Sequence, residues 1–381
     1  MLNQLNRAAR RTRDLSRQFG TAVLAVGLAL LVGALVILLT GANPIAAYRA
    51  ILFGAFGNLN NISETAVKAA PLVLAGCGLA IAFRASLWNI GAEGQIFAGG
   101  ISAICVGLYL GHLPAIVVLP LVVIAGFIGG ALWAGIAGFL KVRLGIDEVI
   151  NTIMLNYIAA LGVNWLIHGP LMDPAASFPR TAIIPENAQL PILLPRTRLH
   201  MGVVIAIVLA LVLQWVLWRT SLGFRIRAIG QNRTAARYGG INVGRTAMIA
   251  MLISGGMAGL AGMGQATGLH FRMLQDISGG LGFTAIAVAL LAGSQPAATL
   301  LSGFVLAALD VGANSMQIRA GVPIEVVKII QGLVILFVVG REYFDRRMMA
   351  RRRSVAERLE HEAKNATGPE RPDALTTGPS I

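Results

Sequence analysis

A chain of 381 residues that is 56% hydrophobic and 13% charged, against roughly 25% charged in soluble domains, is excluded from the soluble globular class and reads as a polytopic membrane protein. Its net charge of +14 would suggest nucleic acid in a soluble protein, but the basic residues sit at both termini and in one central loop, beside apolar runs. That is the positive-inside distribution, so membrane lipid and not nucleic acid is the expected neighbour.

In chain order, a basic arm over residues 1–19, with Arg7, Arg10, Arg11, Arg13 and Arg17, is expected in the cytoplasm. Gly20–Thr40 is uncharged and long enough to span. Gly41, Ala42, Asn43 and Pro44 make a poor cleavage site, so this is a retained first span and not a signal peptide. Pro44–Gly57 is too short to cross and is expected on the outer surface. Ala66–Phe83 returns inward to a polar, glycine-punctuated interruption, ASLWNIGAEGQIFAGG over Ala85–Gly100. Ile96–Leu140 carries no charge and is divided by a turn at Gly111–Pro114, with Lys141 and Arg143 at its inner end. Val149–Leu171 goes out to the longest outer loop, Met172–Leu199, which holds five prolines. Leu199–Trp218 comes back to Arg219–Arg245, where six arginines mark a cytoplasmic connection. Thr246–Phe271, the short Phe283–Gly293, Ala297–Met316 and Ile324–Gly340 complete ten spans, and a basic tail over 341–381 is expected to be cytoplasmic and disordered. The membrane domain is therefore 20–340, with both termini inside.

Ten spans give spans two to five the opposite sense to spans seven to ten, as an inverted repeat requires. Each half contains a short, glycine-interrupted pair: Ala69–Phe83 with NIGAEGQ, and Phe283–Ala292 with Gly293, Ser294, Gln295 and Pro296. Irregular backbone at membrane depth survives only where it is buried in protein or lines a water-filled path. Glu93 is the carboxylate at the centre of the first interruption. Asn151, Asn156 and Asn164 suit a hydroxylated solute, and interhelical hydrogen bonding accounts for them equally. Asp147 and Glu148 at a helix start fit the macrodipole. Asp310 and Lys328 are intramembrane charges that are expected to pair with each other, either locking two helices or serving transport. Four histidines near span ends, His112, His168, His200 and His270, lack metal spacing, and Cys77 and Cys105 read as small buried hydrophobes.

In the arginine-rich loop, Asn232 is an N-cap for a short amphipathic helix over Arg233–Tyr238, which Gly239 and Gly240 stop. Such a helix is a docking element for a soluble partner, or lies on anionic lipid. The stretches LWNIGAEGQ, IDEVINTIMLNYIA and IGQNRTAARYGGINVGRT, in this order, resemble the permease subunits of ATP-binding-cassette importers. The resemblance is to the branch that takes up simple sugars and nucleosides, more distantly to branched-chain amino-acid permeases, and covers Ile62–Val339.

The resemblance implies an all-α importer permease fold with inverted repeats and broken helices. It places Asn89, Gly91, Glu93, Gly94 and Gln95 in a broken-helix translocation core, joined by Asn151 and Asn156 as candidate pore groups. Gly230, Asn232, Ala235, Ala236, Gly239 and Gly240 become the segment, within loop 219–245, that meets an ATPase subunit. The chain carries no GxxxxGK[ST] phosphate loop, so ATP is expected to be hydrolysed by a separate subunit, and no cofactor or metal is expected on this chain. The implied partners are that ATPase, a second permease subunit, identical or related, and a periplasmic or lipoprotein substrate-binding protein, in a bacterial inner membrane. An ion-coupled secondary transporter using Glu93 or Asp310 is the alternative. An intramembrane enzyme lacks any paired His or carboxylate constellation.

Overall fold

The computed structural model describes residues 27–28, 30–337 and 340. The expected arm over 1–19 and tail over 341–381 lie outside them. Ala29–Ile335 form one compact unit, which holds all the packing described. The other unit, Met1–Leu28 with Leu336–Ile381, has helical residues at 27–28, 336–337 and 340.

Helices α1 (Leu30–Leu39) and α2 (Pro44–Phe56) meet at a bend of 116°. Then come α3 (Leu59–Arg84), α4 (Ala92–Leu110), α5 (Ala115–Leu144), α6 (Glu148–His168), α7 (Gly202–Arg219), α8 (Ser221–Gln231), α9 (Arg233–Tyr238), α10 (Val243–Gly264, continued by a π turn over Gln265–Leu269), α11 (Leu281–Leu291), α12 (Thr299–Ala320) and α13 (residues 324–337). The ten expected spans each have a helix, α1, α3 to α7 and α10 to α13. Yet among the described residues only seven are long and apolar enough to cross a membrane, or eight with the bent pair counted as one. The clearest shortfall is α11: its eleven residues reach about 16 Å, half of the ~30 Å hydrocarbon thickness.

Two helices form the centre. The apolar windows of α3 and α10 are 83% and 78% buried, against 28–50% for the other spans. Helix α10 packs on α3, α4 and α5, and α3 packs on α10, α11 and α12. Exchanging α3 with α10, α4 with α11 and α5 with α12 maps one set of contacts onto the other, the pattern two repeated halves produce. Backbones come this close because the seams are glycine: a Cβ on Gly99 or Gly130 would overlap the Gly259 backbone, so α4, α5 and α10 touch without intervening side chains.

Pro44–Phe56 does more than lie on a surface. Ala47, Ala50, Ile51, Gly54 and Ala55 are buried, and α2 packs along α12, where Gly312 meets Ile51 and Gly54 meets Ser315. The long loop after α6 is laced to the end of α10: Ile184 and Thr181 donate backbone N–H to Phe271 and Met273 carbonyls at 2.9 and 3.2 Å, and Leu190 to Thr267 at 3.0 Å.

Candidate functional site

Helix α3 ends at Arg84, and seven residues pass before α4 begins at Ala92. Gly91 at the N-cap has no capping side chain, so the first N–H groups of α4 need partners from elsewhere. Helix α6 provides one: Asn156 Oδ1 accepts from Gly94 N at 2.8 Å, while its Nδ2 donates to the Ile90 carbonyl at 2.9 Å. Thr152 Oγ1 accepts from Ile90 N at 3.3 Å. Asn89, fully buried, pairs amide to amide with Gln95 at 3.0 and 2.9 Å, donates to Ser254 Oγ on α10 at 2.9 Å and accepts from Gly91 N at 3.0 Å. Asn89, Gly91 and Gln95 thus form one hydrogen-bonded set with Ser254, and Gly94 and Asn156 a second with Ile90, the chain over residues 89–95 joining the two. Asn151 stands apart and ties α6 to α5 through Ala137 O at 3.1 Å.

Glu93 points to the other half of the chain. Its carboxylate oxygens accept N–H bonds from Gly280 at 3.2 Å and Gly282 at 2.8 Å, the N-terminus of α11, where negative charge is favoured. Gly280 takes a left-handed conformation, φ 83°, which suits glycine. A Cβ on Gly282 would collide with the backbone of Glu93. Residues 270–280 between α10 and α11 are irregular, mostly turns and bends with one isolated bridge from Leu274 to Arg180, so the discontinuity in the second half precedes the short helix. The expected place, Gly293–Pro296, is instead the turn that follows it, with Gly293 and Ser294 at φ 58° and 55°.

That turn belongs to a second junction. Arg84 donates to the Ser294 and Gly293 carbonyls at 2.8 Å each, and its guanidinium lies 5.7 Å from the Trp218 ring, which also receives Arg227 at 4.6 Å. Ser86 Oγ donates to Gly230 O at 2.8 Å, and Arg233 donates to Ser86 O at 3.0 Å. Gly230 is held so tightly that a Cβ would overlap the Arg84 carbonyl. The arginine-rich loop is thus fastened to the end of α3, beside the first break. Within the loop, Asn232 caps α9 by accepting from Ala235 N at 2.9 Å, and the helix stops at Gly239, with Gly240 left-handed at φ 79°. The two adjacent alanines differ: Ala236 is buried in this chain, whereas Ala235 is exposed with Arg233, Thr234, Arg237 and Tyr238.

Among the remaining candidates, Asp310 pairs with Lys68 at 2.5 Å and not with Lys328. Asp147 caps α6 by accepting from Val149 and Ile150 N–H, and Glu148, buried, pairs with Lys141. Asn164 is half-buried, and its backbone carbonyl accepts from His168 Nδ1. Arg84, Thr152, Ser254, Gly280 and Gly282 escaped the sequence reading. The glycine cluster in ISGGLG, residues 277–282, was the available signal for the last two.

Residues 61–339 match the family described as "Branched-chain amino acid transport system / permease component". The guanosine ABC transporter permease protein NupP of Bacillus subtilis is 39% identical over 322 residues, which cover 83% of this chain and 91% of that protein. The nucleoside ABC transporter permease protein NupB of Lactococcus lactis is 34% identical, over 85% of this chain and 91% of that protein. The glucose ABC transporter permease protein TsgB13 of Haloferax volcanii is 33% identical, over 88% and 91%.

Proposed function

We propose, from the premise that this chain belongs to that family of transport-system permease components, that it carries nucleosides inward across a bacterial inner membrane as the permease subunit of an ATP-binding-cassette importer. Membership and the permease role rest on the relatives. Nucleoside as the solute rests on two of the three permeases compared, including the one at 39% identity. Glucose is the second reading, favoured by the Haloferax relative.

One observation carries the mechanism: the exposed face of α9 stands on a loop bonded through Gly230 and Arg233 to Ser86, and packed on Arg84, at the break before α4. A separate ATPase subunit would dock on that face, and closure of the ATPase pair would pull on the α3–α4 break. Arg84 would pass the pull to the far end of α11, while Glu93 holds its near end. A second permease subunit and a substrate-binding protein would complete the assembly, with the arginine-rich loop and both termini in the cytoplasm and the proline-rich loop outside. The ion-coupled alternative finds no support in the relatives, which are ABC permeases, and Glu93 has each oxygen engaged by a backbone N–H.

The test is import by the complex of this chain with its cognate ATPase, second permease and binding protein in proteoliposomes. ATP-dependent accumulation of labelled guanosine, outcompeted by other nucleosides and not by glucose, is the expected result. Accumulation of glucose alone would reassign the solute, and gradient-driven uptake by this chain without the ATPase would overturn the pump.

A further inference from the structure

Away from both breaks, α2, α3 and α12 and Arg198 near the end of the proline-rich loop line an open cleft of about 450 Å³, within the roughly 300–1,000 Å³ of small-molecule sites. Its deepest charges are unusual for a membrane helix. Lys68 lies nine residues into α3 and Asp310 ten residues before the end of α12, about 14 Å from those ends at 1.5 Å per residue. Their side chains are nevertheless 38% and 49% exposed. Charges at that depth are costly against lipid and mark solute paths or water-filled cavities, so this face is turned to water or to polar matter.

Four of the five charges of the cleft are paired with one another, and the fifth, Arg319, lies over an aromatic ring. Lys68 pairs with Asp310 at 2.5 Å, Arg198 grips Glu64 with two bonds at 2.7 and 2.5 Å, and Arg319 sits 4.0 Å over the Phe53 ring. With both carboxylates and two of the three cations paired, a cation has no claim on the site and an anion would find only Arg319. What the walls add is neutral: the amides of Asn314, Asn58 and Asn61 and the hydroxyl of Ser315, groups that both donate and accept and so suit hydroxyls and ring amides, with Asn58 Oδ1 taken by Asn61 N and Asn61 Nδ2 donating to Phe53 O.

We propose that this cleft is an entry vestibule for the transported solute, binding an uncharged, hydroxyl-bearing ring compound of the nucleoside or monosaccharide class against Asn61, Asn314 and Ser315, with the Lys68 and Asp310 pair as its floor. The assignment rests on the transport reading and adds to it a site distant from the broken helices. The vestibule lies at the end of the bundle that carries Arg198, opposite the junction of Arg84 with Gly230, so solute would enter it from the side away from the ATPase.

Asn314→Cys and Ser315→Cys in the assembled complex, treated in proteoliposomes with a positively charged methanethiosulfonate reagent, test this. The parent complex gives the background, because Cys77 is fully buried and Cys105 half-buried. Leu301→Cys, on the exposed side of α12 near its other end, is the control. The expected result is modification at both cleft positions, loss of ATP-driven guanosine uptake on modification, slower modification in the presence of guanosine, and unchanged uptake at Leu301→Cys. A working parent whose modified Asn314→Cys and Ser315→Cys variants still import, without protection by guanosine or glucose, sinks the vestibule alone. Cleft positions that react in the isolated chain but are shielded in the complex whether or not solute is present make the face a subunit interface, which also overturns the proposal. A parent complex that imports neither guanosine nor glucose with ATP removes the transport reading and the vestibule together.

Discussion

The two interruptions of this bundle are held by opposite means. The break before α4 is fixed by side chains in two groups of hydrogen bonds, Asn89 and Gln95 with Ser254 of α10, and Thr152 and Asn156 of α6 to the backbone of residues 90 and 94. The break before α11 has glycines where the first has amides, and the start of its helix is held by one carboxylate, Glu93, lent by the first break. A polar network specifies its own geometry. A glycine turn specifies little and takes its position from a partner. The second break should therefore fail whenever the first is altered at Glu93, whereas the first should survive damage to the second.

The largest effect is expected at Gly282. Gly282→Val places a side chain where the Glu93 backbone lies, an overpacking worth about 1–3 kcal/mol or more, and the purified protein should lose its monodisperse peak in size-exclusion chromatography. Gly264→Ala, where a Cβ meets nothing, should elute as the parent does.

Glu93→Ala comes next. It leaves the Gly280 and Gly282 N–H groups unpaired, at about 1–3 kcal/mol per buried group, whereas Glu93→Gln keeps one acceptor oxygen and should retain substantial ATP-driven uptake. Amide exchange read by mass spectrometry separates the breaks: protection should fall over 277–284 and persist over 89–96. Equal loss in both would mean that the first break does not stand on its own.

A smaller effect bears on the second break alone. The loop over residues 169–201 clasps residues 267–273, and His200 within it is buried against Gly268, with Nδ1 accepting from Gly202 N at 3.1 Å. Burial pushes its imidazole down to about 4, below its ordinary ~6.5. Between these values the unfolded loop binds a proton that the folded loop refuses, so the clasp weakens as pH falls from about 6.5 towards 4. Limited proteolysis of the loop should accelerate at acid pH in the parent and lose that dependence in His200→Gln; an unchanged dependence would place the titrating group elsewhere.

What could be read from sequence follows from how local the physics is. The short helix over Arg233–Tyr238, its Asn232 cap and its glycine stop are decided within a few residues, and they stand where the residue types put them. The polar character of Ala85–Gly100 was equally visible. The partner of Glu93 was not: it lies 189 residues away, and a backbone N–H leaves no mark on the sequence beyond the glycines of ISGGLG. The same reason misassigned Asp310, because periodicity places a charge on a helix without saying which neighbour it faces, and that neighbour is Lys68 on α3. Ala235 and Ala236 looked alike as residues, and only the fold turns one outward and one inward.

In the proposed coupling, motion enters through α9 and reaches the breaks through Ser86 and Arg84. This is read by following, side by side, guanosine-stimulated ATP hydrolysis and guanosine uptake of the assembled complex carrying Ala235→Glu, a change on the exposed side of α9 that touches neither break. The variant is expected to insert and fold as the parent does, while guanosine-stimulated hydrolysis and uptake are lost together. Stimulated hydrolysis and uptake both at the parent's level would contradict it and leave the arginine-rich loop a connector resting on lipid.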